Sequence, residues 1–240
     1  MKKNKIRTLI NIFLVIVFLF SSYKIVEKII SYKKADNVYK EVQKIKDKNI
    51  EKNTETLDLS YINKDYRGWL NIDNTNINYP ILQGKDNNYY LEKDINKNYL
   101  ASGSIFLDFR NNKFNDENTI LYGHSMKNDT MFAQLDKFNE KEFFNENNKI
   151  TILTPKGKKL IYEVFSAYTT DLKDNYNETN FKTENEYRNF LNKIENKSIV
   201  KSKLKVTPKD KILTLSTCSY EYEGARMVVH AKLMEISQYK

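Results

Sequence analysis

Two short apolar runs near the C-terminus, Lys211-Ile-Leu-Thr-Leu-Ser-Thr-Cys218 and Arg226-Met-Val-Val-His-Ala-Lys-Leu233, are separated by only seven residues. Both are rich in β-branched and aliphatic residues. In the second, Met227, Val229, Ala231 and Leu233 alternate with Arg226, Val228, His230 and Lys232, a period of two that fits a strand. The connection from Ser219 to Ala225 is polar and carries Gly224. Strands joined this closely run antiparallel and side by side. Any fold for this chain must therefore contain a hairpin that sets the last residue of one strand, Cys218, beside the first of the next, Arg226.

Cys218 is the only cysteine, so it forms no internal disulfide. A lone thiol beside a guanidinium has the makings of a nucleophile, because the thiolate is the reactive form and a nearby cation favours it. An arginine also offers fixed donors to the oxyanion that develops when sulfur attacks an amide carbonyl. The plainer reading is a small buried hydrophobe, the usual fate of a free cysteine. The polar neighbours Ser216, Thr217 and Ser219 favour an exposed, working position.

The formal charge of +9 suggests nucleic acid until it is located. Residues 1–52 hold thirteen Lys/Arg against five Asp/Glu, so nearly all of the excess sits in an N-terminal arm and the remainder is close to neutral. Bulk charge thus gives no reason to propose a nucleic-acid partner. The arm opens with four cations, followed by the apolar run Leu9 to Phe20. With Thr8 and the residues up to Val26, that run approaches the ~20 residues a spanning helix needs. A cleaved signal peptide has a similar start, but no small-x-small site with alanine follows, which favours an uncleaved anchor. The positive-inside rule then leaves residues 1–7 in the cytoplasm, 8–26 across the membrane, and the rest on the extracellular side.

Residues 27–56 form a helical arm and connector. Ile25, Ile29, Tyr32, Val38, Val42 and Ile45 make a stripe suited to lying against the main domain, and lysines crowd the other face. From residue 57 the pattern turns to β. Arg67 to Ile72 and Ile77 to Leu82 flank the turn-like Asp73-Asn-Thr-Asn76, with Pro80 predicting an edge or irregular strand. Further β-like runs follow at Asp86–Leu91, Gly103–Asp108, Asn118–His124, Lys149–Thr154 and Lys159–Thr170. Short helices are expected from Asp129, as a cap, to Phe138, and from Thr183 to Asn196 with Tyr187, Phe190, Leu191 and Ile194 on one face. Eight or so strands with few helices predict a mainly β domain, a barrel or sandwich, over residues 57–240.

A cysteine acting on an amide needs a group to protonate the leaving amine, usually histidine. His230 shares parity with Arg226 but lies about 13 Å along the strand from it, too far for one site and suited to a structural role. His124 ends a strand just after Gly123 and before a polar loop, where catalytic groups tend to sit. Parity places Tyr122 with His124 and Ser216 with Cys218. With two separated histidines, one cysteine and no EF-hand spacing around Asp108, Asp116 and Glu117, no metal site is supported.

Thr214-Leu-Ser-Thr-Cys218 followed by Arg226, with Leu121-Tyr-Gly-His124 and Met126 upstream, resembles the class B sortases of Gram-positive bacteria. The resemblance extends to Gly68-Trp-Leu, Tyr79-Pro-Ile-Leu-Gln83, Asp86-Asn-Asn-Tyr-Tyr-Leu91 and Gly103-Ser-Ile-Phe-Leu-Asp108. It implies an eight-stranded sortase β-barrel with N-terminal helices and one helix in the long connection before the cysteine strand. It implies that Cys218 attacks the sorting signal at the C-terminus of secreted proteins, that His124 protonates the leaving amine, and that Arg226 steadies the oxyanion. A thioacyl enzyme is then resolved by a peptidoglycan precursor amine or a pilin lysine. By the same resemblance Asn78, Leu82, Tyr122 and Ser216 line the peptide groove, although Leu82 and Tyr122 could equally be core, and no cofactor is involved. Ser219 stands where some relatives carry an acid; Glu221 and Glu223 are substitutes for it or solvated loop charges.

At reference pKa values of about 8.5 and about 6.5, a thiolate and an imidazolium rarely coexist at neutral pH. Either their mutual field shifts both groups or a minor protonation state is the active one. Two other classes of function compete. An L,D-type thiol transpeptidase expects a Ser-His-Gly-Cys signature with arginine two residues after the cysteine, whereas Thr217 and Tyr220 occupy the corresponding positions. A surface binding module on a helical stalk would make the thiol incidental.

Overall fold

The computed structural model describes residues 2–51, 56–171, 173–218 and 224–239. Its strands are β1 (Tyr66–Ile72), β2 (Asn78–Leu82), β3 (Ile105–Leu107), β4 (Asn118–Gly123), β5 (Lys149–Leu153), β6 (Lys158–Thr170), β7 (Ile212–Cys218) and β8 (Arg226–Gln238). They close into one barrel in the order β1-β2-β3-β4-β7-β8-β6-β5. The helices are α1 (Lys2–Glu51), α2 (Lys141–Glu146) and α3 (Glu184–Lys197). The expected eight-stranded mainly β barrel is what forms.

Alternation along each strand decides what fills it. One set of side chains from every strand, such as Ile81, Leu121, Leu215 and Val229, meets in a single buried cluster with Phe132, Leu135 and Phe138. The other set faces outward and is covered in two places. Trp69, Leu82 and Phe106 lie under Leu57, Leu59, Tyr90 and Ile95. Phe165, Tyr168, Ile212 and Val228 lie under α3 and Tyr176. β4 and β7 are covered on both faces, so Thr214, Ser216 and Thr217 of β7 are buried together with its leucines. Each fully buried large side chain contributes roughly 1.5–3 kcal/mol.

α3 starts where expected, with the Thr183 side chain accepting from the Glu186 amide, and buries Tyr187, Phe190, Leu191 and Ile194. α1 runs as a single uninterrupted helix from Lys2 to Glu51. Its docking stripe is shorter than the sequence suggests: Ala35, Tyr39 and Val42 are buried, while Ile25 and Ile29 are exposed. The residues from Leu9 to Phe20 are exposed throughout, and the helix is long and apolar enough to cross a membrane.

Other local expectations give way to tertiary context. Asp86–Leu91 is no strand: Tyr89–Glu92 forms a 3-10 turn, with the Asp86 carboxylate accepting from the amides of Asn88 and Tyr89. Asp129 does not cap a helix but sits at φ 58, and the 3-10 segment starts only at Ala133. α2 had no sequence counterpart. Pro80 lies in a strand paired on both sides, and its missing donor is tolerated because the β3 ladder starts one residue later, at Ile81. The connector at 52–55 lies outside the described residues.

Gly68 sits at a bulge in β1 where a Cβ would lie 2.7 Å from the Leu153 carbonyl of β5. A backbone atom cannot step aside, so Gly68→Ala must open the β1–β5 seam. The expected cost is about 1–3 kcal/mol, or a Tm lower by roughly 3–10 °C in a chain of this size. Thermal unfolding of the variant checks it; a parental Tm contradicts the close packing of that seam.

Candidate active site

β4, β7 and β8 are neighbours in the barrel, and their registers bring distant parts of the chain together. The parallel β4–β7 ladder ends at Gly123 opposite Thr217. His124 and Cys218 are the residues that directly follow this last pair. The antiparallel β7–β8 ladder pairs Cys218 with Arg226, as the hairpin requires. Adjacent strands are about 5 Å apart, so the three backbone positions occupy one small patch at one end of the barrel. Ser219, Glu221 and Glu223, weighed above for a role beside the cysteine, lie outside the described residues.

His124 is half-buried, and its Nε2 lies 2.9 Å from the Leu91 carbonyl oxygen. A carbonyl only accepts, so Nε2 carries the hydrogen and donates it. Nδ1 is then the nitrogen at which the ring gains or loses a proton. The main chain is pinned as well, the Phe132 amide donating to the His124 carbonyl at 2.9 Å. The Gly103 backbone passes close behind Leu91: its φ of 55 suits glycine, and a Cβ there would come within 2.2 Å of the Leu91 oxygen. The Tyr39 hydroxyl of α1 donates to the Gly103 carbonyl. Arg226 is half-buried and donates from Nη1 to the Ala225 carbonyl at 3.0 Å.

The outer face beside this patch runs across one row of the sheet, Leu82, Phe106, Tyr122, Ser216 and Val228. The two outer covers bury its ends and leave Tyr122 half-buried between them. Its hydroxyl donates to Asp108 at 3.1 Å. Burial, followed by the Asp108 charge, pushes the Tyr122 phenol up, so it stays a neutral donor. Burial alone would raise the Asp108 carboxyl, but the Arg110 fork at 2.9 Å holds it below the usual range. Ser216 Oγ lies 2.9 Å from the Tyr176 hydroxyl. Leu82 is fully buried. Asn78 Oδ1 accepts from Trp69 Nε1 at 2.6 Å and Lys46 Nζ at 2.9 Å, tying α1 to the barrel.

Sequence reasoning missed Leu91, Tyr176 and the Asp108–Arg110 pair as parts of this neighbourhood. A backbone carbonyl leaves no letter to read, and Tyr176 lies between the Lys159–Thr170 run and the helix from Thr183, where the sequence pattern assigns no element. His230 is where a structural histidine belongs. It is buried under α3, with Nδ1 2.9 Å from Thr214 Oγ1 and Nε2 3.2 Å from the Tyr168 hydroxyl. Burial pushes its pKa down to about 3.

Known proteins share this arrangement of strands and sequence. The Sortase domain family matches residues 70–234. Sortase B of Staphylococcus aureus is 39% identical over 245 residues, covering 99% of this chain and 100% of its own. The solved Staphylococcus aureus sortase B–substrate complex superposes with a TM-score of 0.81 at 38% identity, covering 87% of this chain and 100% of that one. A sortase B complexed with triglycine gives 0.79 at 38% identity, covering 85% and 99%.

The environment of His230 also sets a pH dependence. In the folded protein this ring stays neutral down to about pH 3, whereas in the unfolded chain it takes a proton below 6.5. Its burial therefore costs nothing above pH 6.5, and stability is lost as pH falls through the window from 6.5 to about 3. The slope is about 1.4 kcal/mol per pH unit. The stability gap between the parent and His230→Asn, from denaturant unfolding, is expected to narrow steadily below pH 6.5. A gap independent of pH contradicts the buried neutral ring.

Proposed function

The chain belongs to the class B sortases, which are cysteine transpeptidases, and from that premise we propose that it attaches secreted proteins bearing a C-terminal sorting signal to an amine of the cell wall. The backbone pairing of Gly123 with Thr217 and of Cys218 with Arg226 across three strands supports this reading, since the imidazole-, thiol- and guanidinium-bearing positions follow at or directly after those pairs. Peptidoglycan precursor amine is the acceptor of first choice, with a pilin lysine as the other.

In this mechanism the Cys218 thiolate attacks the carbonyl carbon of the scissile amide, and the carbonyl π electrons move onto oxygen. Arg226 offers hydrogen-bond donors to that oxyanion in a partly dehydrated site, where such donors are worth most. The tetrahedral intermediate collapses by breaking the C–N bond, and His124 gives its Nδ1 proton to the departing nitrogen. A thioester to Cys218 remains. The acceptor amine attacks the thioester, His124 takes back a proton, and sulfur leaves as thiolate. The Leu91 carbonyl supports the acid role, because an Nε2–H bond strengthens when the ring becomes cationic. Tyr122 forms the floor of the peptide groove, and Ser216, buried against the Tyr176 hydroxyl, meets the peptide only when that cover shifts. Asn78 and Leu82 belong to its wall, and contact with Leu82 requires the segment above it to shift.

The apolar start of α1 serves as an uncleaved anchor, with residues 1–7 in the cytoplasm and the barrel outside. A nucleophile tethered in this way meets its substrates at the membrane surface, where exported chains emerge.

Incubating the full-length chain in detergent with a library of sorting-signal peptides should leave an acyl adduct on Cys218, read by intact mass, and none on Cys218→Ala. Arg226→Ala should turn over the selected peptide about 100-fold more slowly or worse. Near-parental turnover by Arg226→Ala removes its oxyanion role. Peptide binding that survives Cys218→Ala, with no adduct in the parent, makes the protein a binding module.

A further inference from the structure

The turn from Lys93 to Tyr99 holds a large aromatic ring in the open. The Asp94 amide donates to the Asn98 carbonyl at 3.0 Å, and the Asp94 carboxylate accepts from the Asn98 amide at 2.8 Å. Lys93 and Tyr99 form a bridge, and Ile95 and Leu100 are buried on either side. Tyr99 itself is 63% exposed on this pinned turn. Single exposed aromatics are common; what distinguishes this one is its place. Lys34 Nζ of α1 donates to the Tyr99 carbonyl at 3.1 Å. Helical side chains lean towards the N-terminus, so Tyr99 lies beside α1 at or before the level of Lys34, on the side of the apolar stretch.

That level can be placed against a bilayer. A hydrocarbon core of about 30 Å takes about 20 residues at a rise of about 1.5 Å each, which from Leu9 reaches Lys28. The headgroup layer adds about 5–7 Å, or about four residues, and so ends near Tyr32. The side chains over this last stretch have the composition of a membrane interface, where tyrosine and lysine gather. Lys24 and Lys28 lie over the Tyr23 and Tyr32 rings, Nζ 5.8 and 5.7 Å from their centroids. Seven charged side chains occur from Lys24 to Lys40. Lys24 pairs with Glu27 and Lys40 with Asp36, which leaves Lys28, Lys33 and Lys34 without an ion-pair partner among the described residues. An uncancelled positive belt favours anionic headgroups over neutral ones.

We propose that the Lys93–Tyr99 turn is a second membrane contact: Tyr99 seats in a layer of anionic phospholipid headgroups beside α1, with Lys28, Lys33 and Lys34 around it. The inference rests on reading α1 as an uncleaved anchor, and it adds an orientation that a lone span does not supply. A single helix leaves its cargo free to tilt and to turn about the helix axis. α1 is fixed to the barrel by the buried Tyr39 and Val42 and by Gln43 Nε2, which donates to the Asn78 carbonyl at 2.8 Å. A second contact off the helix axis therefore sets which side of the barrel faces the lipid.

The test uses the full-length chain in vesicles of phosphatidylglycerol and phosphatidylcholine, on a Cys218→Ser background so that each introduced cysteine is the only thiol. A nitrobenzoxadiazole label is attached at Asn98→Cys in the turn, at Phe18→Cys in the apolar stretch, or at Ile199→Cys. Ile199 is bonded to β6, which lies across the barrel from β3. A lipid spin-labelled at its headgroup should quench the label at 98 and leave the one at 199 bright, and a lipid spin-labelled in mid-chain should quench the label at 18. Tyr99→Ser should keep the parental Tm and lower the quenched fraction at 98, as should vesicles of phosphatidylcholine alone. Lys33→Gln should cut the ratio of quenched to unquenched label at 98 about fivefold. A bright label at 98 beside a quenched label at 18 overturns the proposal and leaves the anchor standing. A bright label at 18 removes the anchor and the proposal with it. Quenching at 98 that ignores Tyr99→Ser, Lys33→Gln and lipid charge overturns the seat as described. Self-quenching at 98 that rises with the protein-to-lipid ratio and needs no headgroup probe assigns the turn to a second copy of the chain, and overturns it too.

Discussion

The parallel register between β4 and β7 is the constraint on which the site depends. Slipping it by one residue would turn Leu121, Leu213 and Leu215 out of the barrel and drive Tyr122 and Ser216 into it. Because those strands are covered on both faces, either displacement sets side chains into packing that does not fit them and separates the Tyr122 and Ser216 hydroxyls from their partners. The register is therefore held by many buried side chains, none of which needs to touch a substrate. His124 and Cys218 inherit their adjacency from that packing, and Arg226 inherits its own from the β7–β8 hairpin.

The outer layers supply what the barrel alone lacks. The segment around Tyr90 and Leu91 both covers Leu82 and Phe106 and presents the carbonyl that fixes the His124 tautomer. The opposite layer, built on α3, covers Val228 and brings Tyr176 to Ser216. A gap between two covers, floored by two central strands, is a natural place for an extended peptide. α1 joins this scheme through Tyr39, which reaches the Gly103 backbone behind Leu91. One helix thus touches the barrel near the imidazole and continues into a fully exposed apolar stretch.

Legibility in the sequence followed the range of the forces involved. The β7–β8 pairing was readable because a seven-residue connection leaves two strands almost no choice but to pair. α3 was readable because Tyr187, Phe190, Leu191 and Ile194 recur at helical spacing behind a capping threonine. Asp86–Leu91 misled because Asx bonding by Asp86 competes with strand formation, a local preference that alternation does not record. Ile25 and Ile29 misled because a stripe says that a face is apolar and not what covers it. At the site, Cys218, His124 and Arg226 were nameable from residue chemistry. The groups that orient and wall them in, the Leu91 carbonyl and Tyr176, become neighbours only through the long crossover between β4 and β7.

The claim that most of the account depends on is the side-by-side continuation of β4 and β7 at positions 124 and 218. Backbones about 5 Å apart fall within the Cα separations of about 4.4–6.8 Å that a disulfide accepts. The most direct measurement is a thiol count on His124→Cys after mild oxidation, with Cys218 left in place. The account predicts that both thiols disappear together into an intramolecular disulfide that a reductant restores. Two thiols that remain open to alkylation under conditions that oxidise free dithiols would contradict it.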